Sequence, residues 1–298
     1  MSGPETIAAE PPAVEDRPTG SPRSGGQLNP SLVVGGLIVG AIFAMALISF
    51  LWTPHDPTLV DATVRLQQPS AEYWFGTDKF GRDVFSQILV GSRTTLFVGF
   101  VAVGVAALIG VPLGIVAGMA PRWFGELLMR GNDVLLAFPA LLLAIMFAAV
   151  YGASTLVAMI AIGIATIPSF ARLIRSGTLQ VMATEYVLAA RMAGRSPFGI
   201  GLRHVLPNVS SLVTIQASVG FAIAVLAEAA LSFLGLGTPP PTPSWGRMLQ
   251  ESQEMLFPGG APRLAVFPGV AIALAVLGFN LLGDGLRDRF DPKLDDRR

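Results

Sequence analysis

The residue types that do most bond-breaking chemistry are scarce in this chain of 298 residues, and they form no catalytic pattern. There is no cysteine, which excludes disulfides, thiolate metal sites and cysteine nucleophiles. The lysines, Lys79 and Lys293, follow no G-x-x-x-x-G stretch, so a phosphate-binding loop is absent, and neither G-x-S-x-G nor H-E-x-x-H occurs. We therefore expect a non-catalytic protein whose energy for any work comes from a partner.

Polar residues concentrate instead in one segment between two hydrophobic runs, EYVLAARMAGRSPFGIGLRHVLPN (185–208). Its ionisable residues are Glu185, Arg191, Arg195, Arg203 and His204. Ala189 and Ala190 favour a helix, and Gly194 stands where a helix ends in a left-handed residue. The first half of the segment is thus predicted to be a short helix followed by a turn.

The second half of the segment predicts another short helix. Ser196 is typical of an N-cap and Pro197 of the first helical position, while Pro207 is expected to stop the helix. The whole segment is then a rigid helix–turn–helix suited to docking. The alternative is an ordinary basic loop that contacts lipid headgroups.

The composition indicates a membrane protein. The chain is 52% hydrophobic and only 13% charged, with a mean hydropathy of +0.61, whereas soluble domains carry about 25% charged residues. Six apolar stretches, each near the roughly 20 residues that a bilayer requires, predict an all-α membrane protein with six transmembrane helices. The predicted spans are residues 31–52, 94–119, 132–150, 153–175, 209–236 and 264–284. The formal net charge is zero, and no nucleic-acid partner is expected.

The distribution of basic residues orients these spans. An even number of spans places both termini on one side, and the loops on that side carry most of the arginines. The positive-inside rule therefore puts both termini and the 185–208 segment in the cytoplasm. Residues 1–30, rich in Pro, Gly and Ser, are predicted to be a disordered cytoplasmic tail, and residues 285–298 a second tail. His55 and His204 fall on opposite sides of the membrane, so they cannot form a metal pair.

Two loops are predicted on the outer side. The first, residues 53–93, contains apolar residues at helical spacing that predict an amphipathic helix in the membrane interface, namely Phe80, Val84, Phe85, Ile88 and Leu89. The polar candidates for contact with a partner there are Asp78, Arg82 and Asp83. Alternatively, Thr77 or Asp78 caps the interfacial helix. The second loop, residues 237–262, carries Trp245, which is expected to anchor at the interface and to contact an outer partner.

Two residues are unusual inside membrane spans. Glu228 is the one acid well within a span, and an ionised carboxylate in hydrocarbon costs several kcal/mol. It either lines a solute path or gate, or makes an interhelical hydrogen bond that fixes packing. Pro139 is expected to bend its span, as a gate element or simply through packing.

Residues 188–207, LAARMAGRSPFGIGLRHVLP, resemble the cytoplasmic motif of ATP-binding-cassette importer permeases. That motif has E-A-A, three residues, Gly, nine residues and then I-x-L-P. The residues in register are Ala189, Ala190, Gly194, Leu206 and Pro207. Leu188 replaces the acid of the motif and His204 replaces its isoleucine. Glu185, one helical turn upstream, is a candidate substitute for the acid.

Three further blocks resemble the dipeptide/oligopeptide/nickel permease family, and specifically its second, C-type membrane subunit. They are GTDKFGRDVFSQILVGSRTTL (76–96), AEAALSFLGLGTPPPTPSWGRML (227–249) and DPKLD (291–295). The likeness extends from about residue 31 to the end of the chain. It implies the fold of a type I importer permease in the bacterial cytoplasmic membrane, with a core over residues 94–284 that includes a coupling segment at 176–208.

The resemblance also implies partners. Two related permease subunits pair around a central path, two ATPase subunits bind ATP and Mg on the cytoplasmic side, and a solute-binding protein delivers peptides from outside. The helix that begins at Ser196 would lie in a groove of one ATPase subunit. Phe198 and Ile200 would then be apolar anchors, with Arg195 and Arg203 at a polar rim.

Two alternatives remain at this stage. Nickel and glutathione permeases share the same sequence blocks, so the substrate class stays open. A self-sufficient ion-coupled carrier would use Glu228 as its titrating group.

Overall fold

The computed structural model describes residues 29–255 and 260–290, and every regular element in those ranges is a helix. The tail predicted for residues 1–30 lies outside the described residues except for Asn29 and Pro30. The block at 291–295 also lies outside them.

The helices follow one another with mostly short connections, and the longest connections follow Leu51, Phe233 and Ser252. They are α1 Pro30–Leu51, α2 Val84–Met119, α3 Arg122–Leu136, α4 Ala140–Tyr151, α5 Thr155–Met182, α6 Glu185–Met192, α7 Pro197–Ile200, α8 Leu206–Phe233, α9 Trp245–Ser252 and α10 Arg263–Phe290. A π-helical turn at Gly201–Val205 joins α7 to α8, and two short 3₁₀ turns lie at Ala62–Val64 and Gln253–Met255.

The spans agree with the prediction of a six-span, all-α membrane protein. Helices α1, α2, α5, α8 (with α7) and α10 are long and apolar enough to cross a membrane. The sixth candidate is α3 together with α4, whose axes differ by 75°. The third span is therefore broken, and the break lies just before α4, where Pro139 stands at the N-cap position. Proline cannot donate a backbone hydrogen bond, which favours a helix start after it.

The prediction of a separate interfacial helix in residues 53–93 is wrong. Its residues from Val84 onward form the first turns of α2, and Val84 and Ile88 are buried inside the protein. The indole Nε1 of Trp245 donates to the backbone oxygen of Ile88 at 3.0 Å. Apolar residues at helical spacing occur both in an interfacial helix and at the end of a span that is covered by another helix, so the sequence pattern does not distinguish the two. Here α9 covers that face.

The bundle is held together by close approach of α2 and α5. At Gly114 of α2, an added Cβ would lie 2.7 Å from the backbone oxygen of Ala171. Small residues at such positions allow two membrane helices to pack backbone against backbone. α1 packs mainly against α10, and the Asn29 side chain donates to Asp288 at 2.6 Å.

The connections gather at two opposite ends of the bundle. At one end, which we call the outer layer, residues 52–83 contact residues in the ranges 234–255 and 260–263. Lys79 pairs with Glu254 at 3.0 Å, and Arg263 donates to the backbone oxygen of Gln67 at 2.9 Å. The opposite end carries Asn29, Asp288 and the 185–208 segment. The described chain thus has one compact polar layer and one protruding segment.

Candidate functional site

The turn between α6 and α7 has the geometry that the sequence predicts. Gly194 has a φ of +77°, the left-handed conformation that favours glycine. The backbone N–H of Arg195 donates to the oxygen of Ala190 at 3.1 Å, and that of Gly194 to Arg191 at 2.9 Å. These two bonds form a Schellman motif, which satisfies carbonyls at the end of α6 and fixes the direction of the chain.

α7 begins as predicted. Ser196 is its N-cap, and the hydroxyl oxygen accepts from the backbone N–H of Gly199 at 3.2 Å. Pro197 occupies the first helical position, where a missing N–H costs nothing. The left-handed Gly194 that ends α6 and the Ser196 N-cap that begins α7 therefore set the angle between the two helices.

Pro207 does not stop the second helix, so that prediction is wrong. The backbone N–H of Leu206 donates to the oxygen of Gly201, five residues earlier, which makes one π-helical turn. Pro207 then lies in the first turn of α8, where no backbone donor is needed. Residues 197–233 consequently form one continuous helical rod from the protruding segment to the outer end.

The rod and α6 are fixed to the bundle by a buried apolar cluster. From the segment it takes Val187, Ile200 and Val205, and from the spans Ala106, Val111, Phe170, Ile174 and Val209. Ile200 is only 2% exposed, so its predicted role as an apolar anchor for a partner is wrong. It attaches α7 to its own bundle.

Most other predicted coupling residues are accessible. Those exposed are Glu185, Ala189, Arg191, Gly194, Arg195, Ser196, Pro197, Phe198, Arg203, Leu206 and Pro207, whereas Ala190 and His204 are half-buried. Among the described residues, no carboxylate forms an ion pair with Arg191, Arg195 or Arg203. The arginines are thus available to an acidic surface.

The segment also presents apolar side chains to solvent. Phe198 is 77% exposed, Met192 90% and Leu188 47%. Met192 was missed by sequence reasoning, although its place in the last turn of a short helix was a usable signal. An exposed phenylalanine and methionine beside unpaired arginines form a surface suited to a protein partner.

The outer layer contains a buried charge network. The Asp78 carboxylate accepts from the Nε of Arg82 at 2.7 Å, and Glu251 bonds to both Arg82 and Arg247, the latter at 2.8 Å. Asp78 and Arg82 are buried, whereas Arg247 and Glu251 are partly buried. Asp78 and Arg82, predicted to contact an outer partner, instead tie residues 78–82 to α9.

Two predictions about this layer are wrong. Asp83, rather than Thr77 or Asp78, caps α2, and it accepts from the N–H of Ser86 at 3.0 Å. Trp245 is 1% exposed, so it is a core residue and not an interfacial anchor or a direct contact. Its surroundings are set by tertiary packing, which the sequence of the loop does not show.

The exposed loop of the outer layer contains two locally stabilised carboxylates. The hydroxyl and backbone N–H of Thr58 hold the pKa of Asp56 below its ordinary value, and Thr63 does the same for Asp61. Both are turn-forming Asp–x–Thr arrangements, so the loop is ordered by its own short-range bonds.

Glu228 lies inside the chain. It is 2% exposed, and its Oε1 accepts from the hydroxyls of Ser232 at 2.6 Å and Thr238 at 3.4 Å. Ser232 in turn accepts from the backbone N–H of Thr238. This arrangement favours the packing alternative, because the carboxyl group joins the end of α8 to the following loop.

Pro139 lies at the exposed break between α3 and α4. Close by, Asp133 of α3 pairs with Arg172 of α5 at 2.6 Å, and both side chains are about half exposed. The helices on both sides of the break are therefore held by α5, α3 through this ion pair and α4 through packing.

Comparison with known proteins gives one family. The model of the family described as binding-protein-dependent transport system inner membrane component matches residues 110–296. The chain is 44% identical over 266 residues to the dipeptide transport system permease protein DppC of Alkalihalophilus pseudofirmus, covering 89% of this chain and 87% of that protein. It is 42% identical to the glutathione transport system permease protein GsiD of Pectobacterium atrosepticum, covering 88% and 87%.

A solved structure shares the fold. The chain superposes on a structure of the MetNI methionine ABC transporter in inward-facing conformations with a TM-score of 0.57 and 17% identity. The match covers 69% of this chain and 97% of the other. At this identity the likeness concerns the fold alone.

Proposed function

Since this chain belongs to the family of binding-protein-dependent transport system inner membrane components, we propose that it carries small peptides as one permease subunit of an ATP-binding-cassette importer. The names of two relatives support the substrate class, one a dipeptide and the other a glutathione permease. Glutathione is itself a tripeptide, so both names lead to the same chemistry. Family membership also argues against the alternative of a self-sufficient ion-coupled carrier.

The observation that carries the proposal is the 185–208 segment. It protrudes from one end of the bundle, exposes Phe198 and Met192, and continues without interruption into α8. A site that only touched lipid headgroups would not need a Schellman turn, an N-cap and a rod through the bundle. We propose that Phe198, Met192 and Leu188 enter an apolar groove on a partner ATPase and that the neighbouring arginines meet acidic groups at its rim.

The replacement of the motif's acid by Leu188 has a physical consequence for the proposed contact. Where the motif has an acid, Leu188 adds to an apolar surface, and Glu185 stays exposed at the start of α6. We propose that the contact with the ATPase is mainly apolar in this chain. Added salt should then weaken docking less than it would weaken an ionic contact.

Transmission follows from the packing. A push on Phe198 would move α7, and Ile200 and Val205 would pass the displacement to Phe170 and Ile174 of α5 through the apolar cluster that all four share. Tightly packed interiors transmit such shifts because they are not readily compressed. Rotation of α8 and α5 together would open and close a path at the interface with a second, homologous permease. The break at Pro139 is the proposed flexible point of that motion.

The remaining assignments concern orientation and partners. The basic 185–208 segment faces the cytoplasm, as do both termini, and two ATPase subunits bind ATP and Mg there, with none bound by this chain. The outer layer faces the solute-binding protein. Its buried network holds residues 78–82 on α9, so the partner would contact a firm surface rather than loose loops.

Reconstitution tests the proposal. The full chain, a second permease, the ATPase subunits and the binding protein are placed in vesicles, and uptake of a labelled dipeptide is followed. We expect uptake that needs ATP and all components, persists when proton and sodium gradients are dissipated, and is absent from vesicles with this chain alone. Uptake by this chain alone, driven by an ion gradient, would contradict the proposal.

A further inference from the structure

Arg93 is a cation within the apolar helix α2 that has no acidic partner among residues 29–255 and 260–290. Its Nε donates to the hydroxyl of Ser49 at 2.5 Å, and one terminal nitrogen donates to the backbone oxygen of Ser49. The guanidinium carbon also lies 3.9 Å from the centre of the Phe50 ring. These neutral contacts orient the group but leave its charge and remaining N–H donors without an anion.

The depth of Arg93 is marked by nearby tryptophans. Ser49 precedes Trp52 by less than one helical turn, and Trp52 and Trp74 are half-exposed with ring centres 6.1 Å apart. Exposed tryptophans gather at the membrane–water interface. With a rise of about 1.5 Å per residue, the guanidinium lies about 5 Å inside that level, within reach of a lipid phosphate by snorkelling.

Arg93 opens into a cleft of about 540 Å³ between α1, α2 and the start of α5. That volume is in the range of about 300–1,000 Å³ that is usual for ligand sites. The wall below Arg93 is apolar and includes Phe43, Leu47 and Phe97. Thr155 and Thr242 also line the cleft. The cleft thus has one cation and a long hydrocarbon wall.

We propose that this cleft binds an anionic phospholipid of the outer leaflet, with its phosphate on Arg93 and an acyl chain along Leu47 and Phe97. The exposed side chains of Leu47 and Phe97 face outward from the bundle, which suits a lipid better than a water-soluble peptide. The inference concerns a bound lipid, so it stands or falls independently of the transported substrate.

Native mass spectrometry on the full chain with its co-purifying subunits tests the proposal. The complex is placed in nanodiscs that contain phosphatidylglycerol and phosphatidylcholine in equal amounts with identical acyl chains. We expect preferential retention of phosphatidylglycerol, reduced about tenfold by Arg93→Gln, because a charge-assisted hydrogen bond is lost. Arg93→Lys should retain part of it. The control is Arg65→Gln, since Arg65 is at the same end and its Nε donates to the backbone oxygen of Lys79.

A second variant covers the case in which Arg93→Gln fails to fold. Leu47→Trp fills the cleft at an exposed position and keeps the charge, so it should also lower lipid retention. Three outcomes would overturn the proposal. They are equal retention of both lipids by the unaltered complex, displacement of the bound lipid by free glycerol phosphate, and cross-linking from position 47 to the second permease subunit.

Discussion

Gly194 offers a perturbation in which backbone strain and steric contact with a partner can be separated. Its φ of +77° costs an ordinary residue about 1–2 kcal/mol, and asparagine less. A Cβ added there meets no described atom within 4 Å. Any penalty that grows with side-chain size must therefore come from a surface outside the described chain.

The expected ranking follows from this separation. Gly194→Ala adds strain but little volume, so its coupled transport should fall by no more than about thirtyfold, the equivalent of about 2 kcal/mol. Gly194→Asn tolerates the left-handed conformation better but is larger, and Gly194→Trp is larger still. If an ATPase approaches this turn closely, transport should decrease in the order alanine, asparagine, tryptophan.

The assay is peptide-stimulated ATP hydrolysis and peptide uptake by the reconstituted complex. Gly152 supplies a control for side-chain size, because it also has open space around it but lies in the hairpin between α4 and α5 at the opposite end. Its φ of +86° and ψ of 152° lie in a region that only glycine adopts readily, so its variants are compared with one another. Gly152→Ala and Gly152→Trp should therefore show the same coupling as each other. If Gly194→Asn outperforms Gly194→Ala, the glycine serves the backbone alone and the close-approach reasoning is wrong.

Three further predictions test individual contacts. Ser196→Ala removes the cap of α7, worth about 1 kcal/mol, and should lower coupled transport several-fold. Ser196→Thr should preserve transport. Normal transport by the alanine variant would show that the cap is dispensable. Glu251→Gln leaves Arg82 and Arg247 without their shared carboxylate and should lower the free energy of unfolding by about 3 kcal/mol, seen as a lower midpoint of thermal unfolding. Glu254→Gln, at an exposed ion pair, should change the midpoint little. Equal midpoints for the two variants would refute the stabilising role of the network. Glu228→Gln should keep peptide uptake near normal, because the amide oxygen can still accept from Ser232. Loss of uptake in a fully assembled complex would instead support a role of Glu228 in the translocation path.

Local rules predicted local structure well. Glycine after an alanine-rich stretch and Ser-Pro before the next helix gave the turn and the start of α7, because the signals involve only a few neighbouring residues. Pro139 was likewise a sound indication of the bend in the third span. Pro207 misled because a single π-helical turn removes the need for its N–H, and that turn depends on packing in the bundle.

Predictions that depended on burial were less successful. Trp245 and Ile200 have the sequence character of exposed anchors, yet both are enclosed by helices distant in the chain. Asp78 and Arg82 were predicted to face a partner, but they form bonds with each other and with α9. A single sequence gives the spacing of apolar and charged residues, but it does not give the identity of the helix that covers them.

Cross-linking from position 198 tests the central claim most directly. Because the natural chain has no cysteine, Phe198→Cys introduces a single thiol that can carry a photoreactive benzophenone. In the assembled complex we expect an adduct between this chain and an ATPase subunit, whereas the same label at Phe100→Cys, on an exposed part of α2, should give none. An intact complex in which position 198 yields no ATPase adduct would contradict the assignment of the 185–208 segment as the docking site.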